Sequence, residues 1–314
     1  MAVNKNSNMI VGLDIGTSKV VCIVGKYNVE NKLEIVALGA YPSSGLKKGV
    51  VVNIDATTDA ISKAVEQAQS MIEDKIRSVF VGIAGNHIKS LNSQGAVGIK
   101  DKEVTPFDID RVIDSAQAVS IPSDQRVLHV LPQEFVIDGQ EVSLDPLGMS
   151  GVRLEAKVHL VTCANSAIKN IEKCIKNCNL GVDGFVLEQL ASSHSILSDD
   201  EKDLGVCLVD IGGGTTDIAI FSNGAIEYTS SIPLGGDQVT NDLAQALKTS
   251  TYNAEELKIT HGFITNELSS EDIIEVPGVG DRASRSIQRF TLVEVMSLRY
   301  QEIFNFVNEK ILQS

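Results

Sequence analysis

Two short motifs of aspartate, glycine and threonine occur in the same kind of sequence context in the two halves of the chain. The first spans residues 11–17 as VGLDIGT, and the second spans residues 208–217 as LVDIGGGTTD. Each ends an apolar, strand-like run and precedes two more, so the repeated unit is strand, tight glycine-rich turn, strand, turn, strand. Glycine lets backbone N–H groups approach phosphate oxygens closely, and successive N–H groups form an anion-binding nest. An aspartate beside such a nest can hold a hydrated Mg²⁺ ion, which keeps several of its waters.

A single copy of such a motif is more often an ordinary hairpin turn that contains glycine. Because the motif occurs twice in matching strand contexts, it fits two lobes that face each other across a phosphate chain. A further glycine pair, Gly235 and Gly236, opens a helix, where free N–H groups and the helix dipole favour an anion. The alternative there is a helix start that needs a tight turn. The preceding hairpin favours the phosphate interpretation.

Composition limits the class of protein. The chain has 314 residues, enough for about two domains, and 43% of them are hydrophobic, which is typical of a globular protein. Its formal net charge of −14 argues against nucleic acid as the main partner and against broad adhesion to anionic lipid. No apolar run approaches roughly 18 residues, and residues 1–8 lack the apolar core of a signal peptide. We therefore expect a cytosolic protein with reduced cysteines and structural histidines.

The hydrophobic pattern predicts strands that alternate with helices, and hence a partly parallel sheet covered on both faces. A helix over residues 56–74, with Asp55 as its N-cap, precedes a buried strand over 78–84. From Gly85 the pattern loosens into glycine and serine turns, which indicates a small inserted subdomain. The other predicted elements are a helix over 106–119, strands over 126–137 and 152–163, a helix over 166–177, a strand over 182–186, and helices over 187–197 and 291–313. Residues 233–237 open a further predicted helix, which runs to about residue 247.

Two further features concern the boundaries of these units. The acidic run at residues 198–201 indicates the boundary between two lobes. The last helix stops at Ser314 without glycine, proline or a capping signal, so we expect the chain to be a fragment of a longer protein.

Several strings in the chain resemble a known family. The two hairpins, with the helix LEQLASS at 187–193 before the second, resemble the superfamily of actin, sugar kinases and heat-shock-chaperone ATPases. More narrowly, RVLHVLPQE at 126–134, GMSGVRLEAKVH at 148–159 and SIQR at 286–289 are similar to the bacterial cell-division family FtsA. The similarity extends from about Ile10 to the end of the chain.

The resemblance implies an α/β, actin-like two-lobe ATPase fold with an inserted strand–helix–strand subdomain and an incomplete second lobe. Nothing after Gly280 resembles the glycine-rich adenosine motif of the family, and its closing strands, linker and membrane-targeting helix are not found. The implied domains are a first lobe (1–84 and 162–198), an inserted interaction subdomain (85–161) and a truncated second lobe (199–314), with an FtsZ-binding small subdomain at about 237–310.

The resemblance also implies a function. Members of the family bind ATP, polymerise, link FtsZ filaments to the cytoplasmic face of the inner membrane at the division septum, and recruit later division proteins. The inserted subdomain would take part in that recruitment, and ATP hydrolysis would be slow at most. One alternative is a PilM-like adaptor of pilus assembly at the inner membrane, which shares the insertion. Another is a small-molecule kinase of the superfamily, such as a sugar kinase, but its catalytic-aspartate signature is not found.

By matching position, the resemblance assigns roles to individual residues. Asp14 and Asp210 would face Mg²⁺ through water, and Glu188 would orient the attacking water. These three residues would form the catalytic group. For Glu188, a structural position at the edge of the core is an equal alternative. The phosphate-binding residues would be Gly16, Thr17, Ser18, Lys19, Gly212, Gly213, Gly214, Thr215, Thr216, Asp217, Gly235 and Gly236. Glu255 and Lys258 match a region near the nucleoside, and Arg285, Arg289, Arg299 and Tyr300 would bind the FtsZ C-terminal tail. For Lys19, Glu255, Lys258 and the arginines, the alternative is a solvated surface.

Overall fold

A computed structural model describes residues 9–142, 145–264, 272–280 and 282–314. The N-terminal segment 1–8, part of the predicted insertion (143–144) and parts of the predicted small subdomain (265–271 and 281) lie outside the described residues. No helix in the described ranges has both the length and the apolar character needed to cross a membrane.

The first lobe is built on a mixed sheet of five strands. The first elements of the lobe are β1 (Met9–Ile15), β2 (Lys19–Tyr27), β3 (Leu33–Pro42), β4 (Leu46–Lys47), β5 (Val50–Val51), α1 (Ile54–Gln69) and β6 (Ser78–Ile83). Strands β4 and β5 pair with each other outside the five-stranded sheet. Strands β1, β2 and β3 are antiparallel neighbours, whereas β6 runs parallel to β1. The lobe is completed after the insertion, and its large core lies between α1 and one face of this sheet.

The opposite face of the first-lobe sheet differs from the prediction. Ile10, Ile23, Leu38 and Phe80 are 36–49% exposed there. Helices of the described chain thus cover one face of this sheet, and not both faces as the alternation of elements predicted.

Both ends of helix α1 also differ from the predicted ones. Its N-cap is Asn53, whose side chain accepts a hydrogen bond from the N–H of Ala56, and Asp55 lies in the first turn. The helix stops at Gln69, five residues before the predicted end. The Gln69 side chain donates to the carbonyls of Ile72 and Asp74, and so it holds the following loop in a non-helical path.

The inserted subdomain is a four-stranded antiparallel sheet with one helix packed on it. Its elements are β7 (Ile88–Gly98), α2 (Pro106–Gln117), β8 (Gln125–Ile137), β9 (Gln140–Val142) and β10 (Arg153–Ala164). The strand order is β7-β10-β8-β9. Strand β7 lies where the sequence predicted turns, and it pairs with β10 over its whole length. Helix α2 begins in a capping box between Thr105 and Asp108, with Pro106 at its first position.

Three elements return the chain to the first lobe. They are α3 (Asn165–Asn177), β11 (Gly181–Leu187) and α4 (Glu188–Ile196). Strand β11 pairs parallel to β6, which gives the sheet order β11-β6-β1-β2-β3 and makes the sheet partly parallel, as predicted.

The second lobe begins with a short helix and a three-stranded antiparallel sheet. Its elements are α5 (Asp199–Leu204), β12 (Val206–Ile211), β13 (Thr216–Ser222), β14 (Ala225–Ile232), α6 (Gly236–Ala246), α7 (Thr251–His261), β15 (Ile273–Val276), β16 (Arg285–Gln288) and α8 (Arg289–Gln313). The predicted boundary at 198–201 forms the start of α5, where Ser198 and Glu201 make a capping box. A separate core joins α6, α7, the β15–β16 hairpin and α8 through Val239, Leu243 and Leu292.

Candidate functional site

The repeated sequence motif is also a repeated structure. The first hairpin closes with a hydrogen bond of 3.0 Å from the Gly16 N–H to the Lys19 carbonyl. The second closes in the same way, with 2.9 Å between the Gly212 nitrogen and the Thr215 oxygen. In each hairpin an aspartate stands two residues before the closing glycine, near the end of its strand. The two lobes therefore present the same turn and the same carboxylate to one another.

The two hairpins lie in direct contact. A Cβ atom built on Gly213 would lie 2.1 Å from the Ser18 hydroxyl oxygen of the first hairpin. A side chain at position 213 would therefore have to displace the Ser18 hydroxyl, so glycine suits this point of close approach.

A cavity of about 380 Å³ lies between the hairpins. Its lining includes most of the predicted site residues, namely Asp14, Gly16, Thr17, Ser18, Lys19, Glu188, Asp210, Gly212, Gly213, Gly214, Thr215 and Asp217. Thr216 is predicted to bind phosphate but does not line it; its side chain is buried and its hydroxyl donates to the Leu234 carbonyl over 2.9 Å. The structure thus brings both hairpins and the first residue of α4 to one cavity.

Carboxylates dominate the charge of the cavity. Burial, followed by the charges of Asp14, Asp217 and Asp210, raises the pKa of Glu188 well above its usual value. Burial and the nearby Asp210 charge raise the pKa of Asp14, while Lys19 opposes that rise. Four carboxyl groups in one cavity repel one another, so the cavity favours a cation.

Asp217 is held by donors from both sides of the cavity. The Thr215 hydroxyl donates to its Oδ2 over 2.8 Å, and the Gln189 side-chain N–H donates to its Oδ1 over 3.1 Å. Burial raises the pKa of Asp217, and the nearby Ser231 and Thr215 hydroxyls oppose that rise. The carboxylate therefore has a fixed orientation.

The side chains around the cavity determine how it could hold a cation. Within the described ranges, no group of three or more His, Cys, Asp or Glu side chains is arranged to bind a metal directly. Asp14 and Asp210, one from each hairpin, could instead hold a hydrated divalent cation, because Mg²⁺ usually keeps several waters and touches few carboxylates.

Gly235 and Gly236 lie behind the second hairpin and do not line the cavity. The N–H of Gly236 donates to the Gly212 carbonyl over 2.9 Å, and that of Asp237 donates to the Gly213 carbonyl over 2.8 Å. A Cβ on Gly235 would lie 2.5 Å from the Gly212 oxygen. These contacts favour the tight-turn interpretation, in which α6 supports the hairpin.

Glu255 and Lys258 also lie outside the cavity lining. The Lys258 ammonium group donates to the Gly236 carbonyl over 3.2 Å and to the Thr240 hydroxyl over 2.8 Å. Its ion pair with Glu255 measures 2.7 Å, and Thr240 donates to the Glu255 carboxylate. This pair fastens α7 to the first turn of α6.

The predicted partner-binding residues are spread over β16 and α8 and are engaged within the chain. Arg285 is exposed and donates to the Leu247 carbonyl. The Arg289 guanidinium lies 4.0 Å from the centre of the Phe263 ring. The remaining two are half-buried: Arg299 pairs with Asp242 at 2.6 Å, and Tyr300 stacks on Phe304.

A larger cavity, of about 480 Å³, lies between the inserted subdomain and β14. Its Lys157 is paired with Glu134 at 3.0 Å, and its Gln133 amide donates to the Ile226 carbonyl over 2.9 Å. Its Asn92 and Glu227 side chains are also engaged with neighbours, and no glycine-rich turn lines it. The smaller cavity between the hairpins is therefore the better candidate site.

Sequence reasoning missed three residues at the site. Gly49 and Ala84 line the cavity, and Gln189 holds Asp217. Gly49 follows Lys48 in the turn between β4 and β5, and both have positive φ values, of 74° and 52°. The Lys-Gly pair is a turn signal, but only the packing of the lobes places this turn beside the second hairpin.

Comparisons with known proteins identify the family. The family model described as an SHS2 domain inserted in FtsA matches residues 85–162, and the model described as cell division protein FtsA matches residues 207–308. Cell division protein FtsA of Pseudomonas aeruginosa is 58% identical over 315 residues, which cover 100% of this chain and 76% of that protein. This chain belongs to the FtsA family of cell division proteins. The FtsA of Neisseria meningitidis serogroup B is 50% identical, over 96% of this chain and 73% of that protein.

Solved structures similar to this FtsA-family chain show the same fold. A PilM–PilN type IV pilus biogenesis complex matches with a TM-score of 0.61 and 16% identity, over 80% of this chain and 69% of that one. MreB 5 of Spiroplasma citri bound to AMPPNP matches with a TM-score of 0.53 and 16% identity, over 98% and 79%. The predicted actin-like α/β fold with an insertion is confirmed, whereas the incompleteness of the second lobe stays a prediction. PilM shares only the fold, so the pilus-assembly alternative is not supported.

Proposed function

We propose that this FtsA-family chain binds ATP with Mg²⁺ in the cavity between its two hairpins. One observation carries the proposal: two copies of the same Asp-Gly hairpin, one from each lobe, face each other across a single acidic cavity. An ATP site needs anion-binding N–H groups for the phosphates and carboxylates for the metal, and both are present there.

In this proposal each hairpin binds one side of the phosphate chain. Backbone N–H groups of residues 17–18 and 213–215 bind phosphate oxygens, and Lys19 supplies a positive charge. Asp14 and Asp210 orient the waters of the cation, and Asp217 stands beside them. When bound, Mg²⁺ supplies charge neutralisation for the phosphates and relieves the repulsion among the carboxylates.

Glu188 is the residue that we assign to orienting a water for attack on the terminal phosphate. It is the first residue of α4 and lies on the cavity beside the three aspartates. Phosphoryl transfer chiefly needs positioning and charge neutralisation, so one carboxylate and one metal ion suffice for slow hydrolysis. We infer that the nucleotide mainly sets the assembly state of the protein.

Calorimetric titration of ATP into the chain, with and without Mg²⁺, tests the nucleotide site. We expect Asp210→Ala to abolish Mg²⁺-dependent binding, because it removes one of the two carboxylates that orient the hydrated cation. The control is Asp183→Ala, which removes an exposed aspartate on β11 and should leave the affinity unchanged. The proposal is overturned if the folded wild-type chain binds no ATP. It is also overturned if Asp210→Ala binds ATP with Mg²⁺ as tightly as the wild type does.

We further propose the cellular role that family membership supports. The chain polymerises, binds the C-terminal tail of FtsZ and links FtsZ filaments to the cytoplasmic face of the inner membrane at the septum, where a membrane-targeting helix of the family makes the attachment. The inserted subdomain recruits later division proteins, and a family model matching 85–162 supports a discrete unit there. The proposed domains are 1–84 with 162–198, 85–161, and 199–314, whose part at 237–310 binds the tail.

A labelled peptide with the sequence of an FtsZ C-terminal tail tests the partner site by fluorescence anisotropy. Arg285 is the exposed arginine of the four proposed contacts, so we expect Arg285→Ala to weaken peptide binding by about tenfold, the effect of losing one hydrogen bond to a charged group. Lys310→Ala, at the far end of α8, is the control. Equal affinities for all three proteins would remove Arg285 from the site.

A further inference from the structure

Gln189 has an unusual position for a buried amide side chain. It is 2% exposed and is the second residue of α4, directly after Glu188. Its N–H donates across the lobes, from α4 of the first lobe to Asp217 on β13 of the second. Helix α4 packs against β13 there, so this hydrogen bond lies where the two lobes join at the cavity.

The two hydrogen bonds on Asp217 fix its carboxylate from opposite lobes. Thr215 donates to Oδ2 from within the second hairpin, and Gln189 donates to Oδ1 from the first lobe. Without Gln189, Oδ1 would lose this donor, while Thr215, Ser231 and the Gly85 backbone would remain beside the group. The carboxylate would then be held less firmly about its χ2 angle. Gln189 therefore ties the orientation of Asp217 to the helix that carries Glu188.

The other half of the Gln189 amide is not used by the described part of the chain. Its Oε1 is buried and has no hydrogen-bond partner there. An unsatisfied buried acceptor destabilises a fold, whereas an apolar side chain of the same size would fill the position without that cost. Packing alone therefore does not account for an amide here, but the donation to Asp217 does.

We propose that Gln189 is a positioning residue that holds the Asp217 carboxylate towards the hydrated cation of the nucleotide site. This inference rests on the proposed binding of ATP with Mg²⁺. Gln189 touches neither phosphate nor cation and acts only through Asp217. It also makes the geometry of the cation site depend on the relative position of the two lobes, because the donor and the acceptor belong to different lobes.

The first test measures ATP binding by calorimetry, with and without Mg²⁺, for Gln189→Met and Gln189→Leu. Methionine and leucine keep an apolar side chain of similar size at this position, and neither can donate a hydrogen bond to a carboxylate. We expect both variants to lose about tenfold in the Mg²⁺-dependent affinity and to bind ATP without Mg²⁺ as the wild type does. Gln133→Met is the matched control: this glutamine is also buried, at 6% exposure, but donates to Ile226 far from the hairpins.

A double-mutant cycle separates positioning from a general structural role. If Gln189 acts through Asp217, then Gln189→Met should have no further effect on affinity in an Asp217→Asn background. Additive losses would overturn the inference, as would wild-type affinity in both Gln189 variants or an equal loss with and without Mg²⁺. If Gln189→Met does not fold, the same cycle is measured with Gln189→Leu.

The failure of the inference is distinct from the failure of the proposed function. If wild-type chain binds no ATP, the proposed function is overturned and the inference with it. If the wild type binds ATP and loses affinity with Asp210→Ala, but Gln189 and Asp217 contribute independently, only the positioning role of Gln189 is wrong.

Discussion

At the scale of single residues, the site concentrates groups that destabilise the chain by itself. Glu188, Asp14, Asp210 and Asp217 line one cavity. Burial and mutual repulsion raise the pKa values of Glu188 and Asp14, so their ionised forms are disfavoured. A group whose pKa is raised on folding lowers stability as the pH rises above its unfolded value. Binding of a cation would offset this repulsion, which is the expected trade between stability and function.

We therefore expect Glu188→Gln to stabilise the ligand-free chain at pH 7.5, because the amide keeps the shape of the side chain and removes the charge. The gain should be about 1 kcal/mol, the usual size of a single-residue effect. Thermal unfolding in a buffer without nucleotide or divalent cation measures it. Glu73→Gln, in an exposed loop, is the control and should leave the midpoint unchanged. A lower midpoint for Glu188→Gln would contradict the repulsion argument.

At the scale of elements, the hairpins follow from local sequence but their contact does not. The strand pairing of each hairpin and its closing glycine are features of one short segment. The contact between Ser18 and Gly213 joins segments from opposite lobes. Strand β7 shows the same dependence on distant segments: its glycines and serines predicted turns, yet pairing with β10 across more than 50 residues makes it a strand.

At the scale of the whole molecule, the inserted subdomain is joined to the second lobe through side chains. Ser90 and Asn92 of β7 donate to the carbonyls of Thr229 and Glu227 on β14, over 3.0 and 3.2 Å. His159 lies between them, with 2.6 Å from Nδ1 to the Asn92 Oδ1 and 2.9 Å from Nε2 to the Thr229 hydroxyl. Because Asn92 Oδ1 only accepts, Nδ1 carries the proton and the neutral imidazole accepts at Nε2.

The buried His159 predicts a pH-dependent stability. Burial lowers its pKa to about 4 from the ordinary 6.5. Below pH 6.5 the unfolded chain therefore binds a proton that the folded chain does not, so stability falls as the pH falls from 6.5 towards 4. Between pH 7.5 and pH 5 this loss should be about 2 kcal/mol.

Urea unfolding at the two pH values, for the wild type and for His159→Gln, measures this effect. Glutamine does not titrate, so the variant should lose about 2 kcal/mol less than the wild type on acidification. The carboxylates of the cavity titrate in both proteins and cancel in the comparison. If both proteins lose the same stability, His159 does not report on this interface.

The sequence by itself determined the two Asp-Gly hairpins, the alternation of strands and helices, the place of the insertion and the family. These features are local, because strand and helix periods, turn glycines and short family strings each involve residues that are close together in the sequence. Only the tertiary structure decided that Gln189 reaches Asp217, that Gly235 and Gly236 support the hairpin from behind, and that Glu255 and Lys258 pair with each other. It did so because a side chain's partners depend on how distant segments pack, and a contact across two lobes leaves no periodic signal in either segment.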